Sequence, residues 1–171
     1  MLQKDFLSYP DALYNNLLQQ LQRDKRVGKR KTASYGIACN YSGISYPNRP
    51  MHPLIMPVSR QLACVLGYTP NNCLVNFYQD AHSDNAQLLE PGTGVAIISL
   101  GSERDLLFTN KQDKSIVQTF NLTNGSLLYM DDLTQHFWSH AIPASEDTGG
   151  RISLTFRMIS GSSSRQLMAT A

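Results

Sequence analysis

Residues 151–157 read RISLTFR. Side chains of an extended chain alternate between two faces. Arg151, Ser153, Thr155 and Arg157 therefore share one side, and Ile152, Leu154 and Phe156 share the other. An apolar strand face needs a core to cover it. Two guanidiniums on the opposite face need anionic company, and the planar fork of arginine suits a carboxylate. The same two arginines also read as rim residues in surface ion pairs.

Working outward, the chain after Pro70 is a series of short strand-like runs at 74–78, 95–100, 106–109, 116–122, 126–130 and 151–159. Turn-forming stretches, EPGTG, TNKQDKS, TNG and EDTGG, separate them. Short strands in this number point to a sandwich or an open barrel. The chain before Pro70 reads as helical. Ser8 and Pro10 form a start signal, and Leu13, Leu17, Leu18 and Leu21 recur on one helical face. A second helix is expected from Pro57, with Val58, Leu62, Val65 and Leu66 on one face and Gly67 as its stop. Helices first and strands after imply an α+β fold, with helices packed on one face of an antiparallel sheet. The tail SGSSSRQLMATA, 160–171, is polar and expected to be loose.

The chain has 171 residues, enough for one domain with a sizeable core. Hydrophobic residues make up 42% and charged residues 16%, ordinary for a globular protein, and no run approaches the length of a membrane span. The N-terminus lacks a long apolar segment with a small-residue cleavage site, so no signal peptide is expected. Cys39, Cys64 and Cys73 form no metal-ligand spacing, and their odd number suggests a reducing, intracellular setting. The net charge of +2 does not by itself call for a polyanion. Five of the fifteen basic residues nevertheless fall in KRVGKRK, 25–31, either a solvated linker or a phosphate-tracking patch.

A second stretch carries chemistry. NFYQDAHSDNAQ, 76–87, sets His82 and Asp84 two apart, projecting to the same side of an extended chain. His136 and His140 lie downstream. Two imidazoles and one carboxylate on one face of a metal leave coordination positions open for a cosubstrate and O₂. A lone His-x-Asp is also common in polar turns.

In order, NFY, HSD, SLGSERDLLF, NGSLLYMDDLTQHFWSHAIP and RISLTFR resemble the AlkB family of Fe(II)/2-oxoglutarate dioxygenases, with ASYGIACNYSGISYP resembling its DNA-repair branch. The resemblance implies a double-stranded β-helix (jelly-roll) core at 71–160, N-terminal helices and a nucleotide-recognition lid within 1–70, and a flexible tail at 161–171, all in one domain. It implies His82, Asp84 and His140 as iron ligands. Asn76, Tyr78, Arg151, Ser153 and Arg157 would bind 2-oxoglutarate, with Arg151 on the distal carboxylate and Arg157 near the proximal one. Tyr41 would stack on an extruded base, and Lys29, Arg30 and Lys31 would track phosphates. His136 is then a surface bystander, and Trp138 packs the barrel. Arg104 and Asp105 read as structural, and Gly101 as the residue of a tight turn.

The implied activity is oxidative demethylation of N1-methyladenine and N3-methylcytosine in DNA or RNA. It consumes O₂ and 2-oxoglutarate and releases formaldehyde, succinate and CO₂. Neutral imidazoles and an ionised carboxylate hold the metal, so binding should weaken in acid. The expected partner is nucleic acid carrying alkylated bases, with a monomeric chain, no membrane, and a cytoplasmic or nucleoid/nuclear location. Three departures bear on substrate. The loop before His82 is short, Asn85 and Ala86 replace acidic residues after Asp84, and Ser153 stands where the family usually carries Asn. The alternative reading is a related hydroxylase of the same cofactor class acting on a protein side chain or a small molecule.

Overall fold

The computed structural model describes residues 1–21, 30–41, 44–78, 89–143 and 149–160. A six-stranded antiparallel sheet carries the molecule, in the order β1-β9-β6-β11-β5-β2. Its strands are β1 (Leu2–Gln3), β2 (Arg30–Gly36), β5 (Asn72–Tyr78), β6 (Val95–Gly101), β9 (Leu127–Met130) and β11 (Arg151–Arg157). A second sheet has the order β10-β7-β8, built from β7 (Arg104–Asn110), β8 (Val117–Leu122) and β10 (Trp138–Ala141). A small hairpin pairs β3 (Cys39–Tyr41) with β4 (Ile44–Tyr46). The helices are α1 (Pro10–Gln20), α2 (Met56–Leu66) and α3 (Asp132–Phe137).

The large sheet is buried on both faces, for different reasons. On one face Ile152, Leu154 and Phe156 of β11 join Val75, Ile98, Leu100 and Leu127 beneath Leu17 and Leu21 of the first helical segment and Val58 and Leu62 of α2. Burying one such aliphatic side chain contributes roughly 1.5–3 kcal/mol. The opposite face looks toward the second sheet. At one end, Val95, Ile97, Leu128 and Met130 meet Leu106, Phe108 and Leu122 in a separate apolar cluster. At the other end the same face turns polar, and that end holds the candidate site.

Both expected helices form. Pro10 occupies the first turn of α1, but the residue before it is Tyr9, with no side-chain cap bond, so Ser8 is not the cap. A proline at this position loses no hydrogen bond, because the first N–H groups of a helix have no helical partner. α2 begins one residue before Pro57 and ends at Gly67, whose φ of 76° is left-handed. Val65 is 45% exposed and lies off the buried stripe that holds Val58 and Leu62.

Helices do not simply precede strands. β1 to β4 all lie before α2, and β1 and β2 join the large sheet itself. The sheet needs β2 to cover the edge of β5, with which it pairs in register from Arg30↔Tyr78 to Gly36↔Asn72. The strand expected at 151–159 ends at Arg157, and Ile159 makes only an isolated bridge to Leu89. Residues 22–29, with most of the basic run, and the tail at 161–171 lie outside the described residues.

Candidate active site

Strand register assembles the polar end of the site. Arg151, Ser153, Thr155 and Arg157 share one face of β11, as the alternation requires, and all four are buried. Across β5, Asn76 lies opposite Ser153 and Tyr78 opposite Arg151. Across β6, Ser99 lies opposite Ser153. Thr32 of β2 lies opposite Asn76. A row of polar side chains, Thr32, Asn76, Ser153 and Ser99, thus crosses four strands at no more than 2% exposure.

Arg151 donates through Nη2 to the Ser99 hydroxyl at 2.9 Å. Asn76 donates through Nδ2 to Ser153 Oγ at 3.4 Å. Arg157 is 3% exposed, and its Nε and Nη1 find no hydrogen-bond partner among the described residues. Burying a charged guanidinium with unsatisfied donors is costly, and an oxyanion removes that cost. Cys73 does not supply one. Burial pushes its thiol up, against the opposing pull of the Arg157 charge, so the sulfur stays neutral at physiological pH. Asn76 Oδ1 and Thr155 Oγ1 are likewise unpartnered among the described residues. Two arginines, an amide and hydroxyls facing one interior suit a small dicarboxylate with further oxygen atoms.

His140 sits on β10 opposite Phe108 of β7. Its half-buried ring lies 5.8 Å from the Phe108 ring at an interplanar angle of 39°. It therefore projects to the same side of β10 as Trp138, toward the space between the sheets. Trp138 packs edge-on against Phe108 at 6.5 Å and completes the apolar cluster. A cavity of about 300 Å³ next to this cluster is lined by Phe108, Phe120, Trp138, Leu128 and Met130, among others. His136 is exposed on α3, its ring against Phe137, two residues before the start of β10.

His82, Asp84 and Lys29 lie outside the described residues. Arg30 and Lys31 lie on β2, Tyr41 ends β3 and Tyr78 ends β5; the side chains of these four residues lie outside the described part. No group of three or more His, Cys, Asp and Glu side chains among the described residues is placed to hold a metal. His140 is the member of the implied ligand set that the structure describes. It faces the interior that the arginines face from the other sheet.

The structural expectations for the flanking residues hold. Arg104 donates to Gly149 O at 2.9 Å, and Asp105 accepts from Asn121 at 3.0 Å. Gly101 has a φ of 84° at the turn between β6 and β7. Sequence reasoning missed Ser99 and Thr32 as contributors. The signal for Ser99 was one hydroxyl in the otherwise apolar run VAIISL.

Residues 10–157 match the model of the 2OG-Fe(II) oxygenase superfamily. The chain belongs to that superfamily. Within it the chain is an AlkB-like dioxygenase, the class that uses Fe(II), 2-oxoglutarate and O₂. It is similar to the DNA oxidative demethylase ALKBH2 of Bos taurus, 31% identical over 83% of this chain and 57% of the relative. ALKBH2 of Mus musculus is 33% identical over 76% of this chain and 62% of its own length. The alpha-ketoglutarate-dependent dioxygenase alkB homolog 3 of Bos taurus is 28% identical over 90% of this chain and 63% of the relative. The chain thus spans less than two thirds of the length of these relatives. A solved structure of OsALKBH1 superposes with a TM-score of 0.66 over 92% of this chain and 97% of that one, at 19% identity, and shares its fold. That likeness accounts for the two facing sheets of this AlkB-like chain as the double-stranded β-helix. No helix among its described residues is long and apolar enough to cross a membrane.

Proposed function

We propose that this chain is an oxidative demethylase of N-alkylated bases in DNA or RNA, with N1-methyladenine and N3-methylcytosine as substrates. The buried polar face of β11 and β5 carries the reading. Arg151, Arg157, Asn76 and Ser153 are held there by sheet register, with donors of Arg157 left open among the described residues, where an oxyanion would fit. Relatives named as DNA oxidative demethylases support the choice of substrate class.

The residues present fit 2-oxoglutarate. Arg151 would hold the distal carboxylate, kept in place by Ser99. Asn76 and Ser153 would fix the middle of the molecule, with Tyr78 beside them. The open donors of Arg157 would meet the proximal carboxylate. His82, Asp84 and His140 would hold the iron. When bound, iron and 2-oxoglutarate would together with O₂ supply the oxidation that converts an N-methyl group to formaldehyde, with succinate and CO₂ as the other products. The chain's own contribution is orientation and exclusion of water. The apolar cluster around Phe108 and Trp138 covers one side of the His140 ring, and sheet register holds the anion clamp rigid. Lys29, Arg30, Lys31 and Tyr41 would engage the nucleic acid, and an intracellular monomer would suffice for this chemistry.

The test is formaldehyde release from single- and double-stranded DNA and RNA oligonucleotides carrying either lesion. Lesion-dependent formaldehyde is the expected result. Succinate formation without loss of the methyl group from any oligonucleotide would sink the reading in favour of a protein or small-molecule hydroxylase. Neutralising Lys29, Arg30 and Lys31 should flatten the dependence of binding on salt; an unchanged slope removes their role.

A further inference from the structure

Tyr46 has no part in the chemistry described so far, yet it occupies a demanding position. It is the last residue of β4 and is 7% exposed. Its hydroxyl is hydrogen-bonded to the hydroxyl of Thr32, and the contact is buried. Its register partner across the hairpin, Cys39, has its sulfur 3.2 Å from Ser34 Oγ. Thr32 and Ser34 stand two apart on β2 and share a face. Two side-chain bonds thus tie one end of the hairpin to that face, and Cys39 and Tyr46 also pack against Leu74 there, with Ile159 beside them.

That face is the polar one. Thr32 lies directly across from Asn76, which continues the row to Ser153 and Ser99, where Arg151 is bonded. The hairpin is therefore seated on the cosubstrate side of the sheet and not on its helix-covered side. Its first strand ends at Tyr41.

A phenylalanine would fill the same volume and bury the same ring. The phenol adds a bond to Thr32, a hydroxyl at 0% exposure. A buried hydroxyl left without a partner costs more than the bond itself contributes, whereas removing both partners together is nearly neutral.

We propose that Tyr46 is a positioning residue. Its hydroxyl, held by Thr32, fixes the seat of the β3–β4 hairpin over the polar face and so sets where that hairpin meets the substrate base. The seating is independent of the demethylase reading; that the hairpin meets a substrate base rests on that reading, through the role proposed for Tyr41.

Two measurements on the full chain test this. In amide hydrogen exchange without cofactors, Tyr46→Phe should speed exchange in residues 39–41 and 44–46 by about fivefold, leaving β5 and β11 unchanged. In steady-state kinetics on a methylated oligonucleotide, the same variant should raise KM for the oligonucleotide by about fivefold and move KM for 2-oxoglutarate by less than about twofold. In hydrogen exchange Thr32→Val should speed the hairpin alike, and the double variant should exchange no faster there than either single one. The proposal is overturned by unchanged hairpin exchange in Tyr46→Phe, by additive effects in the double variant, or by the two KM values rising together. If the wild-type chain demethylates no oligonucleotide, the functional reading fails, and the exchange measurement still decides the seat of the hairpin.

Discussion

The Arg151 guanidinium donates to the Ser99 hydroxyl at 2.9 Å from the neighbouring strand β6. The bond fixes the direction of the guanidinium. A carboxylate meeting Arg151 would therefore find the fork already oriented, and little conformational entropy would be lost on binding.

Substituting Arg151→Lys keeps a charge but loses the planar fork. The dissociation constant for 2-oxoglutarate should rise by about 10–100-fold, from loss of charged hydrogen bonds. Isothermal titration with the cosubstrate and an inert divalent metal checks this without turnover. Wild-type affinity in the variant would remove Arg151 from the clamp.

The two downstream histidines should behave oppositely. His140→Ala should lower Mn(II) affinity by at least about tenfold and abolish turnover, since a ligand is worth no less than the groups that orient it. His136, exposed on α3, should tolerate alanine with no change in metal binding. Mn(II) titration of both variants discriminates; equal effects would invalidate the ligand assignment.

Helix α3 has a pH-dependent cap. The Asp131 carboxylate accepts from the Thr134 N–H at 2.7 Å and from its hydroxyl at 2.6 Å. These bonds from Thr134 hold the carboxyl below the usual value of 3.8. A lowered native value means stability that is present above 3.8 and is lost as pH falls through the native value. Asp131→Ala should destabilise by about 1 kcal/mol at neutral pH, as for other helix caps. In urea denaturation, its difference from wild type should shrink as pH falls below 3.8. A pH-independent difference would show that the carboxylate charge is irrelevant.

Gly101→Ala should destabilise by about 1–3 kcal/mol. A Cβ there would lie 2.5 Å from Gly150 O and 2.7 Å from the Tyr14 ring, at a φ of 84°. Thermal unfolding reads the loss; a midpoint within error of wild type would mean that the turn relaxes freely.

Much of this was legible in the sequence because β11 alternates two chemistries over seven residues. Alternation is a local property, so the face of Arg151 and Arg157 followed from spacing alone. β2 was not legible. It begins inside the charge run KRVGKRK, and it is a strand because β5 offers it an edge to pair with. β10 has four residues, too few for a period to show, and α3 is a capped turn and a half inside a stretch otherwise made of strands. The polar row escaped detection for a related reason. Thr32, Ser99 and Ser153 are unremarkable one at a time, and only register, which spans more than a hundred residues, aligns them. The proposed ligand set comes only from a resemblance, since His82-x-Asp84 and His140 are separated by an intervening sheet's worth of chain.

β11 lies in the interior of the six-stranded sheet, paired on both edges and covered on both faces. Such a strand exchanges its amides only when the whole domain opens. The anion receptor should thus persist up to the melting temperature and vanish with it. The hairpin, joined to the body by a few side chains, should let go first. Heating would then leave the proposed 2-oxoglutarate site intact after the hairpin has come away from it.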